Sequence, residues 1–379
     1  METKSQYDAA IIGGGLAGLS LAIQLADAKY SVVLFEKEQY PFHKVCGEYI
    51  SLESRGFLER LGVPLNSWEL PVIKQFHASD AKGNLYKFQL PLGGFGVSRY
   101  KLDDELYQLA LQKGVKVFSG TKVTDVQFEN ESFNIQSSAG AFTAIIAAAS
   151  FGKRSNLDIK WNRGFVQQKV NKLNNYIGIK YHIRFPHPVD TIALHNFHNG
   201  YCGISKIEDD KYCLCYLTTA NNLAQCNNSI PQMELEILHK NPRLKQIFSG
   251  SEFLYKEPLV ISQISFDKKQ QIENHVLMIG DAAGMITPLC GNGMSMAMHG
   301  SKLAFESMNL FLQKKITRSQ MEMQYAGNWK KQFSRRLWIG RNVQRLFGGN
   351  TTTALFFKTM KALPALAKII IRSTHGKPF

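Results

Sequence analysis

Cysteine is sparse and scattered in this chain. Cys46, Cys202, Cys213, Cys215, Cys226 and Cys290 include no C-x-x-C pair, which excludes a common zinc site and a small disulfide framework and fits a reducing, cytoplasmic compartment. No apolar run reaches the roughly 20 residues a membrane-spanning helix needs. Only six residues precede the first expected strand, so a secretory leader is not expected. Internal repeats and low-complexity linkers are missing as well. Acidic residues almost vanish toward the end. From Ser301 onward Glu306 and Glu322 are the only acids, so nearly all of the formal net charge of +15 lies there. A basic segment with interleaved aromatics suits an anionic membrane surface or a nucleic acid, or is a solvated face with no partner. Nucleic acid has charge alone in its favour.

What is present is ordinary globular material: 379 residues, 44% hydrophobic and 20% charged, enough for two or three domain-sized cores. The chain is organised around Tyr7–Lys37. Asp8–Ile12 is a strand-length apolar run, Leu16–Ala28 has apolar residues at helical spacing, and Ser31–Phe35 is a second buried-type strand. Between first strand and helix lie Gly13, Gly15 and Gly18 in a G-x-G-x-x-G pattern. Gly13 permits the tight turn, Gly15 lets backbone approach a pyrophosphate, and Gly18 lets helix pack on strand. The helix start, at Leu16 and Ala17, offers N–H groups and a positive dipole end to phosphates. Glu36 ends the second strand, where a carboxylate accepts from a ribose and repels a 2′-phosphate. These features together predict a dinucleotide site; which dinucleotide, they leave open.

Further along, Cys46–Gly47–Glu48 lies in a loop after Pro41, with Ser51 or Ser54 as a helix start. Residues 71–91 alternate as a hairpin, turning at Lys82–Gly83–Asn84. Residues 99–113 read as an amphipathic helix led by an extended Arg99. Residues 161–219, rich in aromatic and β-branched side chains, read as a separate antiparallel sheet, and Pro231–Phe248 as a helix. A strand at His275–Ile279 leads to a second small-residue turn, Gly280–Asp281–Ala282–Ala283–Gly284, and Gly291–Asn292–Gly293–Met294 opens a long helix. The expected fold is α/β. A discontinuous Rossmann-like nucleotide domain (1–155 and 270–318) is interrupted by an antiparallel-sheet substrate domain (156–269, with 70–95 on the substrate side). A basic helical segment, 319–379, follows. Leu355–Arg372 places lysines between apolar residues, so it either lies on anionic lipid or closes over the sheet domain.

The two glycine sites, in this order, resemble the FAD-dependent oxidoreductases of the p-hydroxybenzoate hydroxylase fold, and within them the geranylgeranyl reductase group. The resemblance implies FAD, with Asp281 on its ribityl chain and Gly293 and Met294 presenting N–H groups to the flavin pyrimidine edge. It implies Arg99, in an R-x-x-x-D-x-x-L pattern, at the cofactor and the Val123 backbone at adenine. Lys37, Lys44, Gly280 and Gly291 join that set. Pro41-x-x-Lys44-x-Cys46-Gly47-Glu48 is similar to the loop these reductases carry beside the flavin ring. Cys46 there either shapes the pocket or assists proton delivery, or is a small buried thiol. Glu48 is a proton donor if burial raises its pKa, or a helix cap. Gly47 and Tyr201 fall on the substrate pocket.

Three departures qualify this. Phe151, in Ala149–Ser150–Phe151–Gly152–Lys153–Arg154, replaces the aspartate of the D-G motif that hydroxylases of this fold tie to NAD(P)H use. Gly200–Tyr201–Cys202–Gly203–Ile204–Ser205 keeps only the tyrosine of the reductases' Y-x-W-x-F-P, and lacks both tryptophans of the halogenases' W-x-W-x-I-P. No separate NAD(P)H fingerprint is present, so the donor is NAD(P)H without a dedicated fold or a ferredoxin-like protein. His187, His195 and His198 are read as surface or core residues, and no metal is expected. The function implied is reduction of a carbon–carbon double bond in an apolar, isoprenoid or polyene-like lipid substrate. The alternative is an FAD-dependent monooxygenase or dehydrogenase on a small secondary metabolite. The expected location is cytoplasmic, or peripheral to the inner membrane face.

Overall fold

The computed structural model describes residues 6–169, 174–288 and 291–379, so Cys290 lies outside it. Two sheets organise these residues. The first has the spatial order Ile272–Glu273, Val276–Met278, Gly140–Ala149, Gln6–Ile12, Val32–Phe35, Lys116–Phe118. Its central pairs are parallel. The run Ala9–Ile12 is buried on both faces, as strands of parallel sheets are. The hairpin of Val123–Glu129 and Ser132–Ser137 joins antiparallel to the Gly140–Ala149 strand. Register lines up the strand ends: Ile12 pairs with Phe35 and Ala149, and Met278 with Ala149. Gly13, Glu36, Ser150 and Ile279 therefore leave the sheet at one carboxyl edge, where ligands of open α/β sheets bind.

The helix Leu16–Asp27 is apolar around nearly its whole circumference and is correspondingly buried. Arg99–Gln112 and Gly293–Leu312 pack against it. Arg99 is the first helical residue and not extended: Ser98 Oγ accepts the Lys101 N–H at 3.1 Å and caps the helix in front of it. The expected strand at His275 starts one residue later, because Asn274 and His275 take φ of +46° and +64° in a turn.

The second sheet is almost entirely antiparallel. The Val72–Ser79 and Leu85–Gly96 hairpin and Tyr49–Ser51 belong to it, and Val72–Ser79 meets Thr191–Phe197 in its one parallel pair among the described residues. One face is covered by Ile230–Glu236 and Pro242–Gly250, packed on Ile179, Tyr181, Leu214 and Tyr216. The helix expected across Pro231–Phe248 is broken at Asn241, whose side chain accepts the Arg243 N–H at 3.0 Å ahead of Pro242, which has no N–H to continue the ladder. The opposite face turns toward the nucleotide domain.

The basic C-terminal segment forms Arg318–Gln344, Asn350–Ala362 and Pro364–Thr374. Tyr325, Trp329 and Phe333 sit in the main core. Phe357, Met360 and Ala367 pack on Ala78 and Tyr86 of the second sheet, with the Phe357 and Tyr86 rings stacked at 5.2 Å. The inner side of the last two helices thus closes over the sheet. Phe357→Ala should cost about 3–5 kcal/mol. The expected readout is a lower denaturant midpoint, with faster hydrogen exchange concentrated in residues 350–374; an unchanged midpoint would show that this packing contributes little.

Candidate active site

Four turns meet at the carboxyl edge of the first sheet. Gly13 has φ +107°, and a Cβ there would lie 2.6 Å from the Ser150 backbone. A Cβ on Gly18 would lie 2.0 Å from Gly13 O, so only glycine lets this helix approach its strand. Gly15 differs: a Cβ there would meet only Lys44 Nζ at 3.7 Å and Arg99 Nη2 at 3.8 Å. It therefore opens a cradle roofed by two cations at a helix start where Gly15 gives no side-chain cap and Leu16 and Ala17 begin the first turn. That donor set fits a diphosphate.

Arg99 and Lys44 are held by one buried carboxylate. Arg99 donates to both Asp103 oxygens at 2.7 Å, and Lys44 donates to Oδ2 at 3.0 Å. Burial alone would raise the Asp103 pKa, but Arg99 and Lys44 bring it below the usual range. Glu36 Oε2 accepts the Gly14 N–H at 2.8 Å and Oε1 the Glu38 N–H at 3.1 Å. Tyr40, not anticipated from the sequence, donates to Gly14 O at 2.5 Å and stacks on Tyr107 at 4.3 Å. Lys37 is turned outward and pairs with Glu38 at 3.4 Å. Val123 opens the strand beside Glu36, since the Thr121 N–H donates to Glu36 O at 2.8 Å; Val123 O accepts from Asn156 at 3.4 Å.

The second glycine site is brought against the first. Gly280 has φ +60°, and a Cβ on it would lie 3.1 Å from Ala17 Cβ. Burial raises the Asp281 pKa, against the pull of Lys269, Arg99 and Lys153. Burial also lowers Lys153 and Lys269 to about 8 each. Lys269 donates to the backbone oxygens of Lys153 and Asp281 at 2.7 and 2.9 Å. Gly291, at φ +61°, abuts the Tyr49 ring, and Gly293 and Met294 start the helix Gly293–Leu312. Phe151, where an aspartate was expected by resemblance, packs on Trp161 at 6.3 Å.

The loop 44–48 joins the two sheets. Three of its carbonyls accept side chains from the second sheet: Lys44 O from Lys180 Nζ at 3.1 Å, Cys46 O from Cys213 Sγ at 3.2 Å, and Gly47 O from Ser205 Oγ at 3.2 Å. Gly47 borders open space: a Cβ on it would meet no heavy atom within 4 Å. Burial pushes the Cys46 thiol pKa up, so it stays protonated at neutral pH.

Glu48 corrects the expectation of a proton donor. It is fully buried and takes φ +54°, a strained value for a non-glycine residue. Lys180 Nζ donates to Oε1, His182 Nε2 lies 2.6 Å from Oε2, and the Arg99 N–H donates to Oε1 at 2.8 Å. Burial would raise its pKa, yet Lys180 and His182 outweigh burial and the value is lowered. It is a carboxylate acceptor, and the helix it caps is the one beginning at Arg99, not the one that follows it in sequence. Lys180 is also fully buried; desolvation would lower its pKa, and Glu48 outweighs this and raises it. A ligand atom from each of Glu48, His182 and Cys213 falls within 4.8 Å of the others. The Lys180 ammonium already supplies the cation on that carboxylate. Sequence reasoning passed over Lys180 and His182, although a lysine amid the apolar strand YIGIKYHI, two residues from a histidine and so on the same face, is a visible signal.

Tyr201 lies on the same sheet face as Ser205, by strand alternation. It sits in an apolar wall with Leu194, Leu217 and Phe266, its ring 6.0 Å from Phe347. Of the three sequence histidines, His195 is buried against Ser79 Oγ at 2.9 Å, His187 contacts Thr191 O at 3.2 Å, and His198 is exposed with its Nε2 3.0 Å from Asn199 Nδ2; they do not join the site.

The charge cluster dictates a pH response. The folded pKa of Glu48 lies below its ordinary 4.5, so its stabilisation is complete above that pH and is lost as pH falls through the folded value. Lys180 is raised above 10.5, so its stabilisation is complete below that pH and is lost as pH rises through its folded value. Lys180→Met should cost about 3–5 kcal/mol by stranding the carboxylate. The E48Q/K180M double variant should recover much of this and flatten both limbs of the stability–pH curve, measured by urea unfolding; equal costs for single and double variants would deny the coupling.

Residues 7–176 match the family model described as pyridine nucleotide-disulphide oxidoreductase. The chain is 23% identical over 359 residues to conditioned medium factor receptor 1 of Dictyostelium discoideum, covering 88% of this chain and 69% of that protein. It superposes on the flavin-dependent brominase Bmp2 with a TM-score of 0.81 at 19% identity, covering 98% and 93% of the two chains. It superposes on PqsL of Pseudomonas aeruginosa, a probable FAD-dependent monooxygenase, with a TM-score of 0.71 at 14% identity, covering 93% and 100%. The chain thus has the mixed α/β flavoprotein fold of flavin-dependent halogenases and FAD-dependent monooxygenases.

Proposed function

We propose that this protein is an FAD-dependent oxidoreductase of the monooxygenase type, acting on a small apolar metabolite. The observation that carries the reading is the convergence of both glycine sites on one cradle, with the loop 44–48 and the apolar Tyr201 wall on its second-sheet side. In this reading the first turn at Leu16, with Lys44 and Arg99, binds the diphosphate. Glu36 accepts from the adenosine ribose, and Asp281 binds the ribityl chain. Bound FAD would supply two-electron redox chemistry and, once reduced, reactivity toward dioxygen. The protein's own part is to orient and to exclude water. The wall of Tyr201, Leu217 and Phe266 selects apolar substrates by burial. Electrons come from NAD(P)H without a dedicated fold, or from a ferredoxin-like protein.

Reduction of a carbon–carbon double bond is the second reading. It draws on the Pro41-x-x-Lys44-x-Cys46-Gly47-Glu48 resemblance and on the Cys46 thiol, which burial keeps protonated and which precedes Gly47, a residue that borders open space; in this reading it is a candidate proton source. The wild-type protein should purify yellow, and Gly15→Val, which fills the cradle, should lose flavin absorbance with unchanged far-ultraviolet circular dichroism. Photoreduced holoprotein should be reoxidised on admitting air, with an oxygenated product from an apolar aromatic acceptor. Anaerobic reoxidation by a polyprenyl lipid, abolished in Cys46→Ala, would transfer the assignment to the reductase. A chain that takes up no FAD would end both readings.

A further inference from the structure

The outer sides of the last two helices take no part in the proposed chemistry. Among the described side chains of Asn350–Ala362 the buried ones are Thr353, Phe357 and Met360, and among those of Pro364–Thr374 they are Ala367 and Ile371. The opposite sides expose Leu355 (68%), Ile369 (59%) and Leu366 (37%), and Leu363 (53%) is exposed at the joint. Lys358, Lys361, Lys368 and Arg372 are exposed between them. Among the described residues, half of the exposed large hydrophobic side chains lie in the stretch from Met323 to Ile369, a small part of the chain. No Asp or Glu occurs after Glu322, against eleven Lys and Arg.

We propose that the outer face of the helices Asn350–Ala362 and Pro364–Thr374 is a docking surface for an anionic lipid bilayer. Aliphatic side chains flanked by cations on a short helix suit the interface plane, where the apolar face enters the acyl boundary and the cations meet headgroups. No described helix is long and apolar enough to cross a membrane, so the surface proposed is interfacial and not a membrane span. A second copy of the same face would bring like charges together. A single-stranded nucleic acid would call for aromatic stacking platforms, whereas the large exposed apolar side chains of these two helices are aliphatic.

The test is flotation of the full-length protein with phosphatidylcholine vesicles with and without phosphatidylglycerol. It needs no turnover and no bound flavin, so it fails or succeeds independently of the proposed function. Binding to the anionic vesicles alone, weakened by salt, is expected. Lys368→Gln/Arg372→Gln should lower partitioning about 30-fold, at about 1 kcal/mol per charge. Leu355→Ser/Ile369→Ser should lower it about ten-fold or more. These side chains are exposed, so both variants should keep the wild-type melting temperature. Absence of flotation, loss through the charge variant but not the aliphatic one, or tighter retention on DNA than on vesicles at the same ionic strength would each overturn the proposal.

Discussion

A carboxylate removed from water has to be compensated on every side, and Glu48 is the place where that requirement shapes this molecule. Its partners come from two separate elements: Lys180 and His182 from one strand of the second sheet, and the Arg99 N–H from the start of a helix packed on the first. Each must stay in place because withdrawing one leaves a buried charge uncompensated. The positive φ of Glu48 is held by the same contacts. One carboxylate thereby fixes the loop 44–48, the sheet behind it and the helix that carries Arg99.

The second consequence is electrostatic. Lys44 and Arg99 sit over Gly15, while Lys153 and Lys269 lie near Asp281. Burial holds Lys153 and Lys269 near 8 in the absence of a closer counter-charge. A polyanion entering the cradle would restore them toward full protonation, so binding and charge are linked. The cradle's rigidity comes from packing without side chains: Gly13 and Gly18 allow backbone to touch backbone. The C-terminal helices have a two-sided character. Their inner aromatic residues finish the core of the second sheet, and their outer cations and aliphatic residues are left to solvent.

The first sheet and its glycine turn were legible in the linear sequence because their determinants are local. A strand, a glycine turn, a helix and an acid at the end of the next strand lie within 31 residues, Tyr7 to Lys37, and each has a composition dictated by backbone sterics or dipole direction. The α/β class followed from the same periodicities, as did the existence of a second sheet. What the tertiary structure decided was non-local. Whether the Glu48 pKa ends above or below its ordinary value depended on Lys180 and His182, more than a hundred positions away and brought to it only by the fold. Likewise, Tyr49–Ser51 and the Val72–Gly96 hairpin enter the second sheet through pairings that no local pattern specifies. Charge and hydrophobic period are properties of neighbours in sequence; compensation of a buried ion is a property of neighbours in space.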